Sequence, residues 1–153
     1  MGVPSPIGPL GVAVDGAGIT AVRFTGPAGP SGHVPLLDLA RQQLDEYFAG
    51  TRTDFTLPLS VPVGSAFERA VWARIAAIPY GETTTYGTIA AQVGEPDAAR
   101  AVGVACNRNP VPIVVPCHRV VGAGGKLVGF GGGLRRKRFL LELEARVWIE
   151  REF

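Results

Sequence analysis

The residues best suited to nucleophilic chemistry are Cys117, His118 and Arg119, which are consecutive in the chain. A cysteine attacks as its thiolate, and a neighbouring base and a cationic group both favour that form. The apolar run Ile113–Val115 ahead of Pro116 predicts a short buried strand that brings Cys117 to its end. Because neighbouring side chains of a strand point to opposite faces, His118 can reach the sulfur only if the chain turns at Cys117, or through a water. A buried cysteine is usually an inert small hydrophobe, so core packing is the alternative for this pair.

The second thiol, Cys106, is expected to pack in the core. No Cys-x-x-Cys motif occurs, which argues against a dithiol redox role. The chain has two cysteines and two histidines, so a structural zinc site with four such ligands would need all of them. We therefore expect no metal and no cofactor.

Two short helices are predicted ahead of the reactive cysteine. The first covers Thr83–Val93 and is closed by Gly94, and the second is capped by Asp97 and runs to about Cys106. Two short helices joined by a glycine-containing turn form the helix-turn-helix pattern of many DNA-binding proteins. The alternative is a pair of packing helices in an ordinary core.

The second of these helices has small side chains around a single long one, Arg100. Such a surface lets a helix backbone approach a large flat or grooved partner closely. Gly103 costs about 1 kcal/mol relative to alanine in a helix, so it calls for a steric reason, either such a partner or tight helix–helix packing. An apolar stripe consists of Ala98, Ala101, Val102 and Ala105, while Ala99, Arg100 and Gly103 lie off it.

Beyond the reactive centre the sequence predicts a short strand at Lys126–Val128, a flexible loop at Gly129–Gly133 and a long helix from Leu134 to about Glu150. The helix begins with four consecutive cations, Arg135 to Arg138. Cations near a helix N-terminus are repelled by the positive end of the macrodipole. Solvent weakens this repulsion if the face is exposed, and a bound anion such as phosphate would offset it. Glu144 lies opposite Arg135 and is expected to point inward, where a carboxylate needs a hydrogen-bonding partner.

The first sixty residues predict a small β-rich unit with one covering helix. Leu10–Val14 and Ile19–Phe24 flank a glycine-rich turn and predict a β-hairpin. Apolar residues between Leu37 and Phe48 have helical spacing and are followed by Gly50, a typical helix terminator. A further strand is predicted at Asp54–Leu59, and residues 25–33 are predicted to form a loop.

The best candidate linker is Val61–Gly64. Directly after it, Ser65 and Glu68 form a capping box that predicts the start of a helix. The chain is therefore predicted to be α/β (α+β) with two small domains. Residues 1–62 form a β-rich domain with a covering helix, and residues 63–153 form a mainly helical domain with the helix-turn-helix and the reactive cysteine.

The composition excludes several protein classes. The chain has 153 residues, of which 46% are hydrophobic and 18% charged, with 21 glycines and 13 prolines. This composition can bury a core and excludes a coiled coil, a collagen-like repeat and a wholly disordered chain. No apolar run approaches the roughly 18 residues of a membrane span, and the first residues lack the basic and apolar regions of a signal peptide. We therefore expect no membrane partner.

The net charge of +2 is unevenly distributed along the chain. Residues up to Val63 include three basic and five acidic side chains, whereas those from Gly64 onward include twelve basic and eight acidic ones. The basic second half favours a polyanion as partner. A solvated basic surface is the alternative.

These motifs together resemble the O6-alkylguanine-DNA alkyltransferases, also called methylated-DNA–protein-cysteine methyltransferases. The signature is Asn109-Pro-Val-Pro112 followed by Pro116-Cys-His-Arg-Val120. The resemblance covers nearly the whole chain and implies a ribonuclease-H-like fold for the N-terminal domain. Further matching segments are Ser5–Leu10, Ile78–Thr83, Ala98–Gly103, Gly129–Gly133 and Leu140–Glu144.

The resemblance implies a catalytic role for five residues. Cys117 would accept the alkyl group. The thioether that forms has no carbonyl for water to attack, so each molecule is expected to act once, irreversibly. His118, acting through a water and supported by Glu144, would remove the thiol proton. Asn109 would tie the recognition helix to the active-site turn, and Tyr86 would rotate the phosphate of the target nucleotide and place its hydroxyl near guanine O6.

The resemblance also implies how DNA is bound. The second helix of the helix-turn-helix would lie in the minor groove, and Arg100 would enter the duplex in place of the flipped base. From their charge alone, Arg108 and the cations Arg135 to Arg138 are expected to contact phosphates. The remaining implied contacts are the minor-groove face formed by Ala98, Ala99, Ala101 and Gly103, and the substrate pocket formed by Val120, Phe130 and Gly131.

The sequence departs from the family in two places. Animal members bind zinc in the N-terminal domain, but this domain has no cysteine and only His33 as a histidine, so we expect no metal here either. Phe130 stands where tyrosine is common, which keeps the ring of the pocket wall but removes its hydroxyl.

The resemblance predicts repair of O6-alkylguanine in double-stranded DNA, with O4-alkylthymine as a second candidate substrate. It further implies a monomer in the cytoplasm of a bacterial-type cell, associated with the nucleoid through DNA. The alternatives are a lesion-binding module that does not transfer the group and, less compatible with Arg100 and the small-residue helix, a cysteine hydrolase.

Overall fold

The N-terminal part of the chain forms a three-stranded antiparallel sheet with one helix against it. The computed structural model describes residues 2–24 and 34–152, so the predicted loop 25–33, including His33, lies outside the described residues. Contacts divide the chain into two units, one containing the described residues up to Pro62 with Pro110–Pro112, and the other containing Val63–Asn109 and the residues from Ile113 onward.

The sheet of the first unit has the strand order β1 (Gly2–Val3), β2 (Leu10–Val14) and β3 (Ile19–Arg23). The predicted hairpin of β2 and β3 is confirmed. Its turn is held by Asp15, whose carboxylate accepts hydrogen bonds from the backbone N–H groups of Ala17 and Gly18.

Helix α1 (Pro35–Phe48) covers this sheet, as predicted, and packs against β2. Its buried face includes Leu37, Ala40, Leu44 and Tyr47. The predicted strand at Asp54–Leu59 is wrong, because only Leu59 forms a bridge, to Ile19. Pro58 lacks a backbone N–H group and cannot contribute a donor to a longer ladder.

The second unit is mainly helical, as predicted. Its elements, in chain order, are α2 (Ala66–Ala76), β4 (Thr84–Thr85), α3 (Tyr86–Gln92), α4 (Ala99–Asn107), β5 (Val120–Val121) and α5 (Leu134–Glu152). The capping box of Ser65 and Glu68 at the start of α2 is confirmed. None of the helices in residues 2–24 and 34–152 has the length and apolar character needed to cross a bilayer.

Helices α3 and α4 form the predicted helix-turn-helix pair, with two corrections. The first helix begins at Tyr86 rather than Thr83, because Thr84 and Thr85 pair with β5 and the Thr85 side chain then caps the helix through the Thr88 N–H. Asp97 does not cap α4; Ala98 occupies the N-cap position without a side-chain hydrogen bond. Gly94 ends α3 with a φ of +83°, in the left-handed region that favours glycine.

Two predicted strands around the reactive cysteine are wrong. Ile113–Val115 forms a turn in which Ile113 has a φ of +74°, strained for a β-branched residue. The prolines on both sides lack backbone N–H groups, so pairing is limited to single bridges at Pro112 and Val115. Lys126–Val128 is irregular, and the strand of this region is β5 instead, which pairs in parallel with β4.

The parallel pairing of β4 and β5 brings two functional segments side by side. Thr84 lies opposite Val120 and Thr85 opposite Val121. Since α3 starts directly after β4, and β5 starts directly after the turn Cys117–Arg119, the pairing places the beginning of α3 beside the reactive cysteine.

Candidate active site

Cys117 begins a single 3-10 turn, Cys117–Arg119, and exposes only 4% of its surface. The chain bends sharply just before it, because Pro116 has the φ and ψ of an inverse γ-turn, −82° and 67°, and the Cys117 N–H donates to the Val115 carbonyl over 2.8 Å. The turn meets the condition set by the sequence for His118 to lie near the sulfur.

Burial raises the pKa of Cys117 to about 11, against the opposing effects of a hydrogen bond from Asn109 and the charge of Lys137. At that pKa only about 10⁻⁴ of the protein carries the thiolate at neutral pH. The resting thiol is therefore protonated, and a base must remove its proton before it can attack.

Asn109 connects α4 to the cysteine turn. It follows the last turn of α4, is 9% exposed, and its side-chain amide donates to the Val115 carbonyl over 2.8 Å. The same side chain hydrogen-bonds the Cys117 sulfur. A single side chain thus fixes both the turn and the thiol relative to the helix.

His118 and Glu144 form a buried pair, with 2.6 Å between Nε2 and Oε2. Burial opposes ionisation of Glu144, but the hydrogen bonds and charges of His118 and Arg119 outweigh it and lower the pKa of Glu144 to about 2. Burial also lowers the pKa of His118. An ionised carboxylate requires a donor, so the neutral imidazole carries its proton on Nε2 and leaves Nδ1 as the basic nitrogen.

The Nδ1 atom of His118 is buried and has no hydrogen-bond partner among the residues that the structure describes. A buried acceptor without a partner is costly. Nδ1 is therefore the atom of this cluster that is available to take up a proton.

Arg119 holds the other side of Glu144. Its guanidinium donates to both carboxylate oxygens, over 2.7 Å from Nε and 3.0 Å from Nη2, and its Nη1 donates to the Ile78 carbonyl over 2.7 Å. It also lies 5.4 Å from the centre of the Tyr80 ring. The sequence predicts that the charge of Arg119 favours the Cys117 thiolate, whereas in the structure Arg119 pairs with Glu144. The only sequence signal for this ion pair is that a buried carboxylate needs a hydrogen-bond donor.

Tyr86, the first residue of α3, directs its hydroxyl toward the glycine-rich loop and donates to the Val128 carbonyl over 2.9 Å. Burial raises the pKa of Tyr86 to about 12, so its hydroxyl stays protonated. A Cβ added at Gly103 would lie 3.9 Å from the Tyr86 ring, an ordinary contact. Packing inside the protein therefore does not require glycine at this position of α4.

The outer face of α4 carries the residues predicted to bind DNA. Arg100 and Ala101 are exposed, and Ala98, Ala99 and Gly103 are half-buried. Arg108, just after the helix, is exposed and forms an ion pair with Glu68 in which Nη1 and Oε2 are 3.6 Å apart.

The residues predicted to form the substrate pocket differ in exposure. Val120 is fully buried behind the cysteine turn, Phe130 is half-buried and Gly131 is exposed. A Cβ added at Gly131 would lie 3.7 Å from the Asn107 carbonyl. The glycine-rich loop thus approaches the end of α4.

The prediction that Lys137 lies on an exposed cationic surface with its neighbours at the start of α5 is wrong. The Lys137 side chain is fully buried, and its ammonium donates to the Val120 and Val128 carbonyls. Arg135 and Arg138 are exposed, as the solvated interpretation requires.

Comparison with known proteins matches both parts of the chain. The family model described as "6-O-methylguanine DNA methyltransferase, DNA binding domain" matches residues 66–146. The model described as "6-O-methylguanine DNA methyltransferase, ribonuclease-like domain" matches residues 3–61. The chain belongs to the 6-O-methylguanine DNA methyltransferase family. The resemblance recognised from the motifs around Cys117 is therefore confirmed.

Relatives of this family are similar over almost their full length. A protein of Mycobacterium leprae named methylated-DNA–protein-cysteine methyltransferase is 50% identical over 92% of this chain and 88% of its own. A protein of Methanosarcina acetivorans with the same name is 47% identical over 92% of this chain and 94% of its own.

A crystal structure of Mycobacterium tuberculosis OGT in complex with DNA superposes with a TM-score of 0.87 at 48% identity, covering 95% of this chain and 92% of the other. The predicted mixed fold, with a small N-terminal sheet and a helical C-terminal part, is thereby confirmed. A metal would need a cluster of ligands, and the described residues contain no group of three or more His, Cys, Asp or Glu side chains suited to one.

Proposed function

We propose that this protein repairs DNA by transferring the alkyl group of O6-alkylguanine to Cys117, irreversibly and once per molecule. O4-alkylthymine is a second substrate of the same chemistry. The observation that supports this most directly is the buried series Cys117, His118, Glu144 and Arg119, in which Nδ1 of His118 is the open proton acceptor.

The transfer begins with the proton of Cys117 moving to Nδ1 of His118, directly or through one water. Glu144 stabilises the imidazolium that forms, and Arg119 keeps Glu144 ionised and in place. The thiolate then attacks the alkyl carbon as the bond from that carbon to O6 breaks, and the electron pair goes to the guanine. The guanine regains a proton, which His118 returns, so the products are unmodified guanine and an S-alkyl cysteine.

The second part of the proposal concerns access to the base. An alkylated guanine inside a duplex cannot reach a cysteine that is 4% exposed, so the nucleotide must leave the stack. The small residues Ala98, Ala99, Ala101 and Gly103 allow α4 to enter the minor groove, and Arg100 fills the gap in the duplex. Tyr86, Val120, Phe130 and Gly131 receive the flipped base.

The third part of the proposal concerns the setting. The protein acts as a monomer, and its working place is the cytoplasm of a bacterial-type cell, where the chromosome lies. The twelve basic residues from Gly64 onward favour binding to a polyanion.

Intact-mass spectrometry after incubation with duplex DNA containing O6-methylguanine tests the proposal. We expect a gain of one methyl group, mapped to the peptide of Cys117, with a plateau at one equivalent of protein. DNA binding without a mass change would instead support a lesion-binding module. Continued turnover of an acyl ester would support a hydrolase.

A further inference from the structure

Lys137 is the one fully buried lysine of the described residues, and the proposed transfer does not use it. It is the fourth residue of α5, on the face that also carries the buried Leu140 and Glu144. No carboxylate in residues 2–24 or 34–152 forms an ion pair with it. A buried cation without a carboxylate is costly, so its presence requires an explanation.

The ammonium group of Lys137 is surrounded by oxygen atoms. It donates to the Val120 carbonyl over 2.6 Å, to the Val128 carbonyl over 3.0 Å and to the Tyr86 hydroxyl over 3.3 Å, and the Gly129 carbonyl lies 3.5 Å away. Four oxygen acceptors therefore surround the three N–H groups. Three of them are carbonyls, which cannot donate to the lone pair of a neutral amine, and the Tyr86 hydroxyl already donates to Val128, so the site suits the charged form.

These partners belong to three separate segments around Cys117. Val120 follows the cysteine turn, Val128 and Gly129 lie where the glycine-rich loop begins, and Tyr86 begins α3. The Tyr86 hydroxyl donates to the same Val128 carbonyl over 2.9 Å. The segment Lys126–Gly133 has no strand pairing of its own. Other hydrogen bonds hold its two ends, at the carbonyls of Lys126, Gly132 and Gly133, and the bonds of Lys137 and Tyr86 hold its middle at Val128 and Gly129.

We propose that Lys137 is a positioning residue of the transfer reaction, which ties the glycine-rich loop to the strand after Cys117 and supplies a positive charge to the thiolate. This proposal deepens the proposed function and rests on it. Besides His118 of its own turn, the groups close enough to Cys117 to interact with it electrostatically are Cys106 of α4, Tyr86 of α3 and Lys137 of α5, and Asn109 is a neutral donor. Among them only Lys137 is a cation.

The charge can be tested without DNA or alkylguanine, through the rate at which Cys117 reacts with iodoacetamide as a function of pH. The background variant is Cys106→Ala, which leaves one thiol. We expect Lys137→Met to move the profile upward by about one pH unit, a tenfold slower reaction at neutral pH, as for the loss of a nearby opposite charge. The matched control is Lys126→Met, which removes an exposed lysine from the same loop.

The hydrogen bonds from Lys137 to the loop are tested by hydrogen–deuterium exchange of residues 126–133 in the same variants. We expect faster exchange in Lys137→Met and an unchanged rate in the control Lys126→Met, compared over residues 127–133 so that the substituted residue is left out. Lys137→Gln retains two N–H donors without the charge, so we expect the same shift of the pH profile with slower loop exchange than in Lys137→Met. This variant also serves if the methionine substitution does not fold, which near-ultraviolet circular dichroism reports.

Each half of the proposal has its own contradicting result. An unshifted pH profile in folded Lys137→Met or Lys137→Gln overturns the role of the charge, and unchanged exchange of residues 126–133 overturns the role of Lys137 in holding the loop. Transfer from free O6-benzylguanine should fall by about tenfold with DNA affinity unchanged; loss of DNA affinity instead would make Lys137 a DNA contact. A wild-type protein that never accepts an alkyl group would refute the proposed function, while the iodoacetamide and exchange results would still decide the role of Lys137.

Discussion

The cysteine turn and the outer face of α4 lie in one helical unit but are built in opposite ways. Around Cys117, the side chains of His118, Arg119 and Glu144 are buried, and hydrogen bonds fix all three. On α4, Arg100 and Ala101 face solvent. The first region is organised before any partner arrives, whereas the second presents shape and charge. Substitutions in the first should therefore affect every substrate, and those in the second should affect only duplex DNA.

The largest expected effect comes from the nucleophile. Cys117→Ser should abolish transfer from both duplex DNA and free O6-alkylguanine, because a hydroxyl is a far weaker nucleophile, while DNA binding stays near the wild-type level. Cys106→Ala is the control: burial raises the pKa of Cys106 to about 12 and no base contacts it in the structure described, so most activity should remain. Peptide mapping that finds the alkyl group on Cys106 would contradict this assignment.

The next effect concerns the carboxylate. Glu144→Gln leaves the buried Arg119 without its charged partner, and breaking a buried pair typically costs about 3–5 kcal/mol. We expect a lower midpoint in urea unfolding and slower transfer from both substrates. Glu142→Gln, an exposed position of the same helix, should change neither. Wild-type transfer rates in Glu144→Gln would show that His118 needs no carboxylate.

The same carboxylate predicts a pH dependence of stability. The pKa of Glu144 falls from its ordinary value of 4.5 to about 2 on folding, so its contribution is full above 4.5 and is lost as the pH falls toward 2. The lowered pKa of His118 acts in the same direction, beginning below 6.5. The difference in unfolding free energy between wild type and Glu144→Gln should shrink between about pH 5 and about pH 3. A constant difference over this range would contradict the ionised pair.

The contrast between the regions also explains what the sequence could predict. The helix-turn-helix pair, the capping box of Ser65 and the inward direction of Glu144 follow from local spacing, and the structure has all three. The pairing of β4 with β5 could not be predicted, because two-residue strands have no periodicity and their partners are distant in the chain. The positive φ of Ile113 could not be predicted either, because β-branched residues rarely adopt it.

The burial of Lys137 was not predicted, although the sequence contains a signal for it. The run Arg135 to Arg138 indicates a charged surface when it is considered as a block. However, Lys137 shares the helical spacing of Leu140, Glu144 and Val147, which form the buried face of α5. The phase of the helix therefore predicts burial for Lys137 and exposure for its neighbours, and phase is the better guide.

On the α4 face, Arg100→Ala should slow transfer from duplex DNA while transfer from free O6-benzylguanine stays unchanged. Unstacking a base costs on the order of a few kcal/mol, and losing even about 1.4 kcal/mol of compensation slows the reaction tenfold. Arg41→Ala, an exposed arginine of α1 outside the helix-turn-helix, is the matched control. Equal losses on the two substrates would move Arg100 from the DNA interface to the pocket or the fold.

The smallest effect is expected at Arg108, because its charge is shared with Glu68 at 3.6 Å. Arg108→Ala should lower DNA affinity two- to threefold, as a rough expectation, and reduce the slope of log affinity against log salt by about 0.9, the value for one phosphate contact. Glu68→Gln keeps the capping geometry of α2 but removes the competing charge, so it should raise affinity slightly at the same slope. Titrations of labelled duplex at several salt concentrations measure both. If Glu68→Gln left affinity unchanged while Arg108→Ala lowered it, Arg108 would bind phosphate without cost from its ion pair. If neither variant altered the slope, the phosphate contacts of this domain would lie elsewhere, with the exposed Arg135 and Arg138 as the next residues to substitute.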